Sequence, residues 1–150
     1  MDIAYIKTPI GVIEIVGDGE SITKLDLFED KTYFENKNLP QYILDCKKQL
    51  LQYFSGKRKT FDLKLKPKGT EFQLKVWNEL LKIPYGETVS YSDIAKNIGK
   101  PKASRAVGNA VNKNPIFIII PCHRVIGKNG SLVGFAYGID KKEYLLNLEK

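Results

Sequence analysis

Three β-branched runs open the chain. Ile3–Ile6, Val12–Val16 and Ile22–Phe28 are separated by Thr8-Pro9-Ile10-Gly11 and by Gly17-Asp18-Gly19, so residues 1–30 read as strands joined by tight turns. The apolar period then changes. Across Leu39–Phe54, the residues Ile43, Cys46, Leu50 and Phe54 share one face of a helix, which makes Cys46 a small buried residue of that face. Gly56-Lys57-Arg58-Lys59 ends the helix, as a solvated loop or a phosphate-binding cluster. Phe61–Lys68 predicts an edge strand leading into a linker at Pro67-Lys68-Gly69, and a domain boundary is expected there, giving 1–66 and 67–150.

The second half reads as mainly helical. Thr70-Glu71-Phe72-Gln73 has the form of a capping box, and Phe72, Val76 and Leu80 supply a buried stripe with Trp77 beside it, up to the turn at Pro84-Tyr85-Gly86. Ser90-Tyr91-Ser92-Asp93 starts a short helix for which Gly99 is a natural stop. Pro101 suits the first turn of the next helix, whose positions Ala103, Ala106, Val107, Ala110 and Val111 form an apolar face. The outer face carries Ser104, Arg105, Gly108, Asn109 and Asn112, so the pair is either an ordinary helical hairpin or a helix-turn-helix. Ile116–Ile120 is an unbroken apolar run, read as a buried strand that delivers the chain to Pro121-Cys122-His123-Arg124-Val125. Asp140-Lys141-Lys142-Glu143 resembles another capping box, followed by a helix with Tyr144, Leu145 and Leu148 inward. Neither repeats nor low-complexity segments occur.

Charge sharpens the helix-turn-helix reading. The net charge of +7 alone fits a generic Lys-rich surface as well as a polyanion partner. Its placement is more telling. No acidic residue lies between Asp93 and Asp140, a stretch holding Lys96, Lys100, Lys102, Arg105, Lys113, Arg124 and Lys128, which is the footprint of a nucleic-acid surface. Asp2 and Glu14 interrupt any signal-peptide pattern and no segment is long and apolar enough for a membrane span, so a cytoplasmic protein with no membrane partner is expected. With Cys46 and Cys122 as the two cysteines and His123 as the one histidine, no disulfide, zinc site or cofactor is expected.

A cysteine placed after a buried apolar run and beside the chain's one histidine invites a nucleophile reading. A free thiol has a pKa of roughly 8.5 and needs a base or cation to become a thiolate. Neighbours on a regular strand point to opposite faces, so Cys122 and His123 cooperate only through a bend or a bridging water. Without context, a buried structural cysteine beside a satisfied histidine is the better account.

The ordered motifs supply that context. Pro121-Cys122-His123-Arg124-Val125 stands with Thr70-Glu71-Phe72-Gln73, Val76-Trp77, Ile83-Pro84-Tyr85-Gly86-Glu87-Thr88 and Ser90-Tyr91. Arg105-Ala106-Val107-Gly108, Asn114-Pro115 and Gly134-Phe135 with Gly138 complete the set. In these the chain resembles, over essentially its whole length, the O6-alkylguanine-DNA alkyltransferases (methylated-DNA–protein-cysteine methyltransferases). The resemblance implies a small α/β N-terminal domain with a ribonuclease-H-like sheet and helix, and a mainly α C-terminal domain carrying a helix-turn-helix. It implies a monomer that acts on alkylated double-stranded DNA, removing alkyl groups from O6-alkylguanine and O4-alkylthymine irreversibly.

The site residues follow from the same resemblance. Cys122 would accept the alkyl group, His123 would take the thiol proton through a water, Glu149 would orient that histidine, and Asn114 would tie the active-site loop to the helix-turn-helix. The target base must leave the stack. Arg105 would fill the space it vacates, and Tyr91 would assist rotation at the phosphate and bond the guanine. Ser104, Gly108, Asn109 and Lys102 would complete the DNA face. Val125, Ala136, Tyr137 and Phe117 would line the base pocket. Phe117 stands where relatives commonly have proline and Tyr137 where some have glycine, which points to a narrow pocket. A non-catalytic lesion-binding module would not need Cys122, a helix-turn-helix regulator would not need the Cys-His-Glu set, and a cysteine hydrolase would turn over.

Overall fold

Alternation along the first three runs decides how they pair. In the computed structural model, which describes residues 1–150, β1 (Asp2–Thr8), β2 (Gly11–Gly17) and β3 (Ile22–Phe28) form an antiparallel sheet in that order. The register sets Ile6 against Ile13 and Ala4 against Ile15, then Ile15 against Leu25. These five side chains are buried. Burial stabilises by about 1.5–3 kcal/mol for each large aliphatic side chain. The β1–β2 turn requires glycine at Gly11: its φ is 136°, and a Cβ there would lie 2.5 Å from the Phe28 carbonyl oxygen.

Helix α1 (Gln41–Phe54) packs on β1 and β2 through Ile43, Cys46, Leu50 and Tyr53. The last inward position is Tyr53 rather than the expected Phe54, which is half-buried. Phe61–Lys68 is not the expected strand. It is extended but joins the sheet at one parallel bridge, Leu65 to Ile22, through Ile22 N–H to Lys64 C=O at 2.8 Å and Lys66 N–H to Ile22 C=O at 2.9 Å. The Gln49 side chain takes over part of the pairing, donating to the Asp62 carbonyl and accepting from the Asp62 N–H. An amide side chain can thus satisfy backbone that a ladder would otherwise hold.

The chain divides into two compact units, Met1–Lys68 and Gly69–Lys150. In the second, α2 (Glu71–Leu80) begins at the expected capping box, with Thr70 and Gln73 bonded reciprocally. Its buried residues are Val76, Trp77 and Leu80. Trp77 donates its indole N–H to the Ala110 carbonyl at 2.8 Å, fastening α2 to a later helix (Ser104–Asn112). The two-residue strand β4 (Val89–Ser90) leads into α3 (Tyr91–Asn97), where Ser90 and Asp93 form a second capping box. Gly99, at φ 78°, ends α3: its N–H bonds the Lys96 carbonyl while the Lys100 N–H reaches Ala95, the paired bonds of a Schellman motif.

Pro101 is not in the first turn of the next helix, α4 (Ser104–Asn112). It sits in the tight turn closed by Ala103 N–H to Lys100 C=O, where its fixed φ suits the second position, and α4 starts three residues later. The buried stripe of α4 is Val107, Ala110 and Val111; Ala103 is half-buried and Ala106 faces out. Ala103 caps α4 from outside it and Ala106 is exposed, so three of the five predicted positions are buried.

Candidate active site and nucleic-acid interface

The run Ile116–Ile120 is as buried as a core strand yet is not one. It winds into turns. Ile120 N–H bonds the Ile116 carbonyl at 2.9 Å and Ile119 N–H bonds Phe117 at 2.9 Å, across Ile118 at φ 71°. A positive φ at a β-branched residue is strained and persists only where the surroundings over-determine it. Pro121, at φ −81° and ψ 68°, is the centre of an inverse γ-turn closed by Cys122 N–H to Ile120 C=O at 2.8 Å. Asn114 pins this coil from both sides: its amide donates to the Ile120 carbonyl at 2.7 Å, and its oxygen accepts from Ile116 N–H at 3.0 Å. Cys122–Arg124 then form one 3-10 turn before β5 (Val125–Ile126), which pairs parallel to β4. The bend that cooperation between Cys122 and His123 requires is this turn, since it removes the two-sided alternation of a strand.

The thiol and its neighbours are buried. Desolvation pushes Cys122 up to about 11, while a hydrogen bond from Asn114 and the positive charge of Lys142 pull the other way. Cys46 has no such partners, and burial alone pushes it to about 12. His123 is fully buried; desolvation lowers its pKa below 6.5 despite the opposing hydrogen bond to Glu149, so the ring is neutral at pH 7. Its Nε2 lies 2.6 Å from Glu149 Oε2. Arg124 grips the same carboxylate as a fork, Nε to Oε1 at 2.8 Å and Nη2 to Oε2 at 3.0 Å. Its remaining Nη1 donates to the Ile83 carbonyl at 2.7 Å, and its guanidinium faces the Tyr85 ring at 5.7 Å. A carboxylate bonded in this way is an acceptor, so the imidazole proton resides on Nε2 and Nδ1 keeps its lone pair. Nδ1 is buried and has no protein partner.

Helix α5 (Ile139–Leu148) and the residue that caps its end carry two of the charged groups around the thiol, and the geometry departs from expectation. There is no capping box at Asp140. Gly138, at φ 102°, is the N-cap, so Asp140 falls inside the first turn, where an acid favours the helix dipole. Tyr144 is 36% exposed rather than inward, and Leu148 is half-buried. The inward positions are Lys142, Leu145 and Glu149, three and then four residues apart. Lys142 is a buried charge near the thiol that the hydrophobic pattern passes over, and its spacing from Leu145 and Glu149 is the one signal that points to it. Its ammonium donates to the Val133 carbonyl at 2.8 Å, and burial lowers its pKa to about 8 while Cys122 opposes the shift. Val133 accepts a second bond from the Tyr91 hydroxyl at 3.0 Å. Tyr91 and Lys142 thus hold one loop carbonyl beside the thiol.

The remaining expected site residues sort by exposure. Arg105, Asn109 and Lys102 are exposed, Ser104 is half-buried at the start of α4, and Gly108 lies on the same helix with the Tyr91 ring 3.8 Å from where its Cβ would stand. Val125 is buried and Ala136 is exposed. Phe117 is fully buried, with its ring centroid 4.6 Å from that of Tyr137. Tyr137 also meets Phe135 edge-on at 5.9 Å. No group of three or more His, Cys, Asp or Glu side chains is gathered where a metal could sit. No helix is long and apolar enough to cross a membrane.

Known proteins are similar to this chain in sequence and fold. The ribonuclease-like domain of 6-O-methylguanine DNA methyltransferase matches residues 1–67 and its DNA-binding domain matches residues 71–150. A methylated-DNA–protein-cysteine methyltransferase of Methanosarcina acetivorans is 52% identical, covering 97% of this chain and 96% of the relative. The constitutive one of Bacillus subtilis is 46% identical, covering 96% and 92%. The crystal structure of Mycobacterium tuberculosis OGT in complex with DNA superposes with a TM-score of 0.89 at 46% identity, covering 99% of this chain and 92% of that one. An O6-methylguanine DNA methyltransferase from Methanococcus jannaschii superposes at 0.71 with 29% identity, covering 97% and 92%. Two domain matches in order, and near-half identity over almost the full length of several relatives, place the chain in the methylated-DNA–protein-cysteine methyltransferase family.

Proposed function

We propose that the chain repairs DNA by moving the alkyl group of O6-alkylguanine, and of O4-alkylthymine, onto the sulfur of Cys122, once per molecule. The observation that carries this reading is the buried relay behind the thiol: His123 neutral, its Nε2–H given to Glu149, its Nδ1 lone pair uncommitted, and Glu149 locked by Arg124. The thiol proton passes through a water to Nδ1, and the sulfur attacks the alkyl carbon in line as the guanine oxygen departs. Asn114 and the positive charge of Lys142 favour the sulfur as it becomes anionic. The Tyr91 hydroxyl exchanges the Val133 carbonyl for the base or its phosphate, while Lys142 keeps the loop in place. Carbonyls of Cys122 and Val125 accept from the guanine amine, and the Ala136 N–H faces O6. A thiol nucleophile belongs in a reducing compartment, so we place the reaction in the cytoplasm. All these groups come from one chain, which acts as a monomer.

Reaching the base requires flipping it out of the duplex, an unstacking step that costs a few kcal/mol. Arg105, exposed on α4, takes the place of the base, with Ser104, Gly108, Asn109 and Lys102 against the backbone. Arg105→Ala should slow transfer from duplex O6-methylguanine by a factor of about 10 or more and leave reaction with the free base unchanged, because the free base has no stack to leave. Single-turnover rates on both substrates make the test, and equal loss on both contradicts the role.

Pocket size follows from the aromatic cluster. Tyr137 is flanked by Phe117 and Phe135, and packed rings resist added volume beside the alkyl group. O6-Benzylguanine should therefore react poorly, and Tyr137→Gly should raise its rate selectively over that of O6-methylguanine. Ready reaction of the unsubstituted protein with the benzyl compound would mean that Tyr137 points away.

A further inference from the structure

Basic charge in this chain is not confined to the helix-turn-helix unit. Residues 1–56 carry six Lys or Arg against nine Asp or Glu, a net of −3. Residues 57–68 carry six basic side chains against Asp62 alone, a net of +5. Residues 69–150 carry twelve against seven, again +5. The first unit is thus polarised, with all of its excess positive charge in its last twelve residues.

The fold turns that charge into a ridge. Phe61, Leu63, Leu65 and Pro67 are half-buried, while Lys64, Lys66 and Lys68 alternate with them and are exposed. The backbone beneath is fixed by the bonds to Ile22 and by the Gln49 amide on Asp62, so the lysines stand on a rigid support. In an extended segment alternate residues are about 6.8 Å apart, the axial rise of roughly two phosphates on one DNA strand. Lys57 and Lys59 are exposed at the preceding turn. Arg58 is half-buried and donates to the Gln52 side chain at 2.8 Å and to the Thr60 carbonyl at 3.0 Å, and so shapes the turn. Lys64 pairs with Glu20 at 3.3 Å, but both side chains are about two-thirds exposed, and a solvated pair of this kind is readily exchanged for a phosphate.

We propose that Lys64, Lys66 and Lys68, with Lys57 and Lys59, form a second DNA contact that holds phosphates outside the lesion site without regard to sequence. The inference rests on the reading that the chain acts on duplex DNA. A rigid row of ammonium groups at a fixed spacing, even with Asp62 in the segment, Glu20 on Lys64 and Asp18 near Lys66, fits a regular polyanion better than a folded protein partner, whose acidic groups have no fixed repeat. Edge guarding is the competing use of such lysines, since a charged edge discourages strand addition by another chain.

Full-length protein should be titrated with an undamaged duplex over a range of salt concentrations, comparing wild type with the triple variant K64Q/K66Q/K68Q. The slope of log K against log salt should fall in magnitude by about 3, one for each ammonium group taken away from a phosphate, and K64R/K66R/K68R should restore it. Transfer from free O6-methylguanine should match wild type in both variants, which separates this surface from the chemistry at Cys122. An unchanged slope overturns the proposal. Self-association of the glutamine variant at that unchanged slope would identify edge guarding, and loss of binding to an acidic protein at that slope would identify a protein partner.

Discussion

Incubated with an excess of duplex containing O6-methylguanine, the chain should gain one methyl group, located on Cys122, and Cys122→Ala should gain none while still binding the duplex. The resting thiol is protonated, because burial holds it near 11, so the proton must leave as the sulfur attacks. Cys46, fully buried with its pKa at about 12, has neither a base nor a donor beside it and should remain unmodified. The product is a thioether, which lacks the leaving group that lets a cysteine hydrolase regenerate its thiol, so the reaction should stop at one equivalent. Peptide mass mapping reads both the count and the position; demethylation continuing past one equivalent would falsify the assignment. The pH dependence follows from the histidine. The base must be neutral imidazole, and burial lowers its pKa from the ordinary 6.5, so the acid limb of the transfer rate should be centred below pH 6.5. An acid limb centred above pH 6.5 would mean that a different group accepts the proton.

Glu149→Ala should cost both stability and rate. Glu149 is 3% exposed and binds His123 and Arg124 together. Its removal leaves a buried guanidinium without its counter-charge, a change that typically costs about 3–5 kcal/mol. It also frees the His123 ring to rotate and to exchange tautomers. Loss of an oriented general base should slow transfer by roughly 100-fold or more. Urea unfolding measures the first effect and single-turnover kinetics at low temperature, where the variant stays folded, measures the second. The double variant Arg124→Met, Glu149→Leu separates them. Replacing the buried pair with apolar side chains should recover much of the stability, since desolvation offsets most of what such a pair contributes, but the rate should stay low. Recovery of both would reduce Glu149 to a packing role.

Much of the frame is legible in the sequence because it rests on local rules. The three strands follow from alternation, and α2 and α3 from capping boxes whose partners are three residues apart. Gly99 ends α3 because a left-handed residue is needed there, and the Cys122 motif with the chain's one histidine marks the candidate site. Pattern and structure part where a distant partner outweighs the local signal. Ile116–Ile120 has the composition of a strand, but Asn114 and Pro121 close it into turns, and no neighbouring strand competes for its backbone. Phe61–Lys68 alternates as a strand should, yet Gln49 and Ile22 satisfy its backbone at separate points. At the C-terminal helix the aromatic Tyr144 faces outward and charged Lys142 and Glu149 face inward. Hydrophobic periodicity has no means of foreseeing that inversion. A buried charge is tolerable only beside its counter-charge or hydrogen-bond partner, and the partners of these two, Arg124 and His123 for one and the Val133 carbonyl for the other, lie 9 to 26 residues away. The sequence by itself determined most of the local elements and the family, and it singled out Cys122 as the candidate nucleophile. Only the tertiary structure decided which charged side chains are buried around the thiol, because that depends on which groups the fold brings within hydrogen-bonding distance.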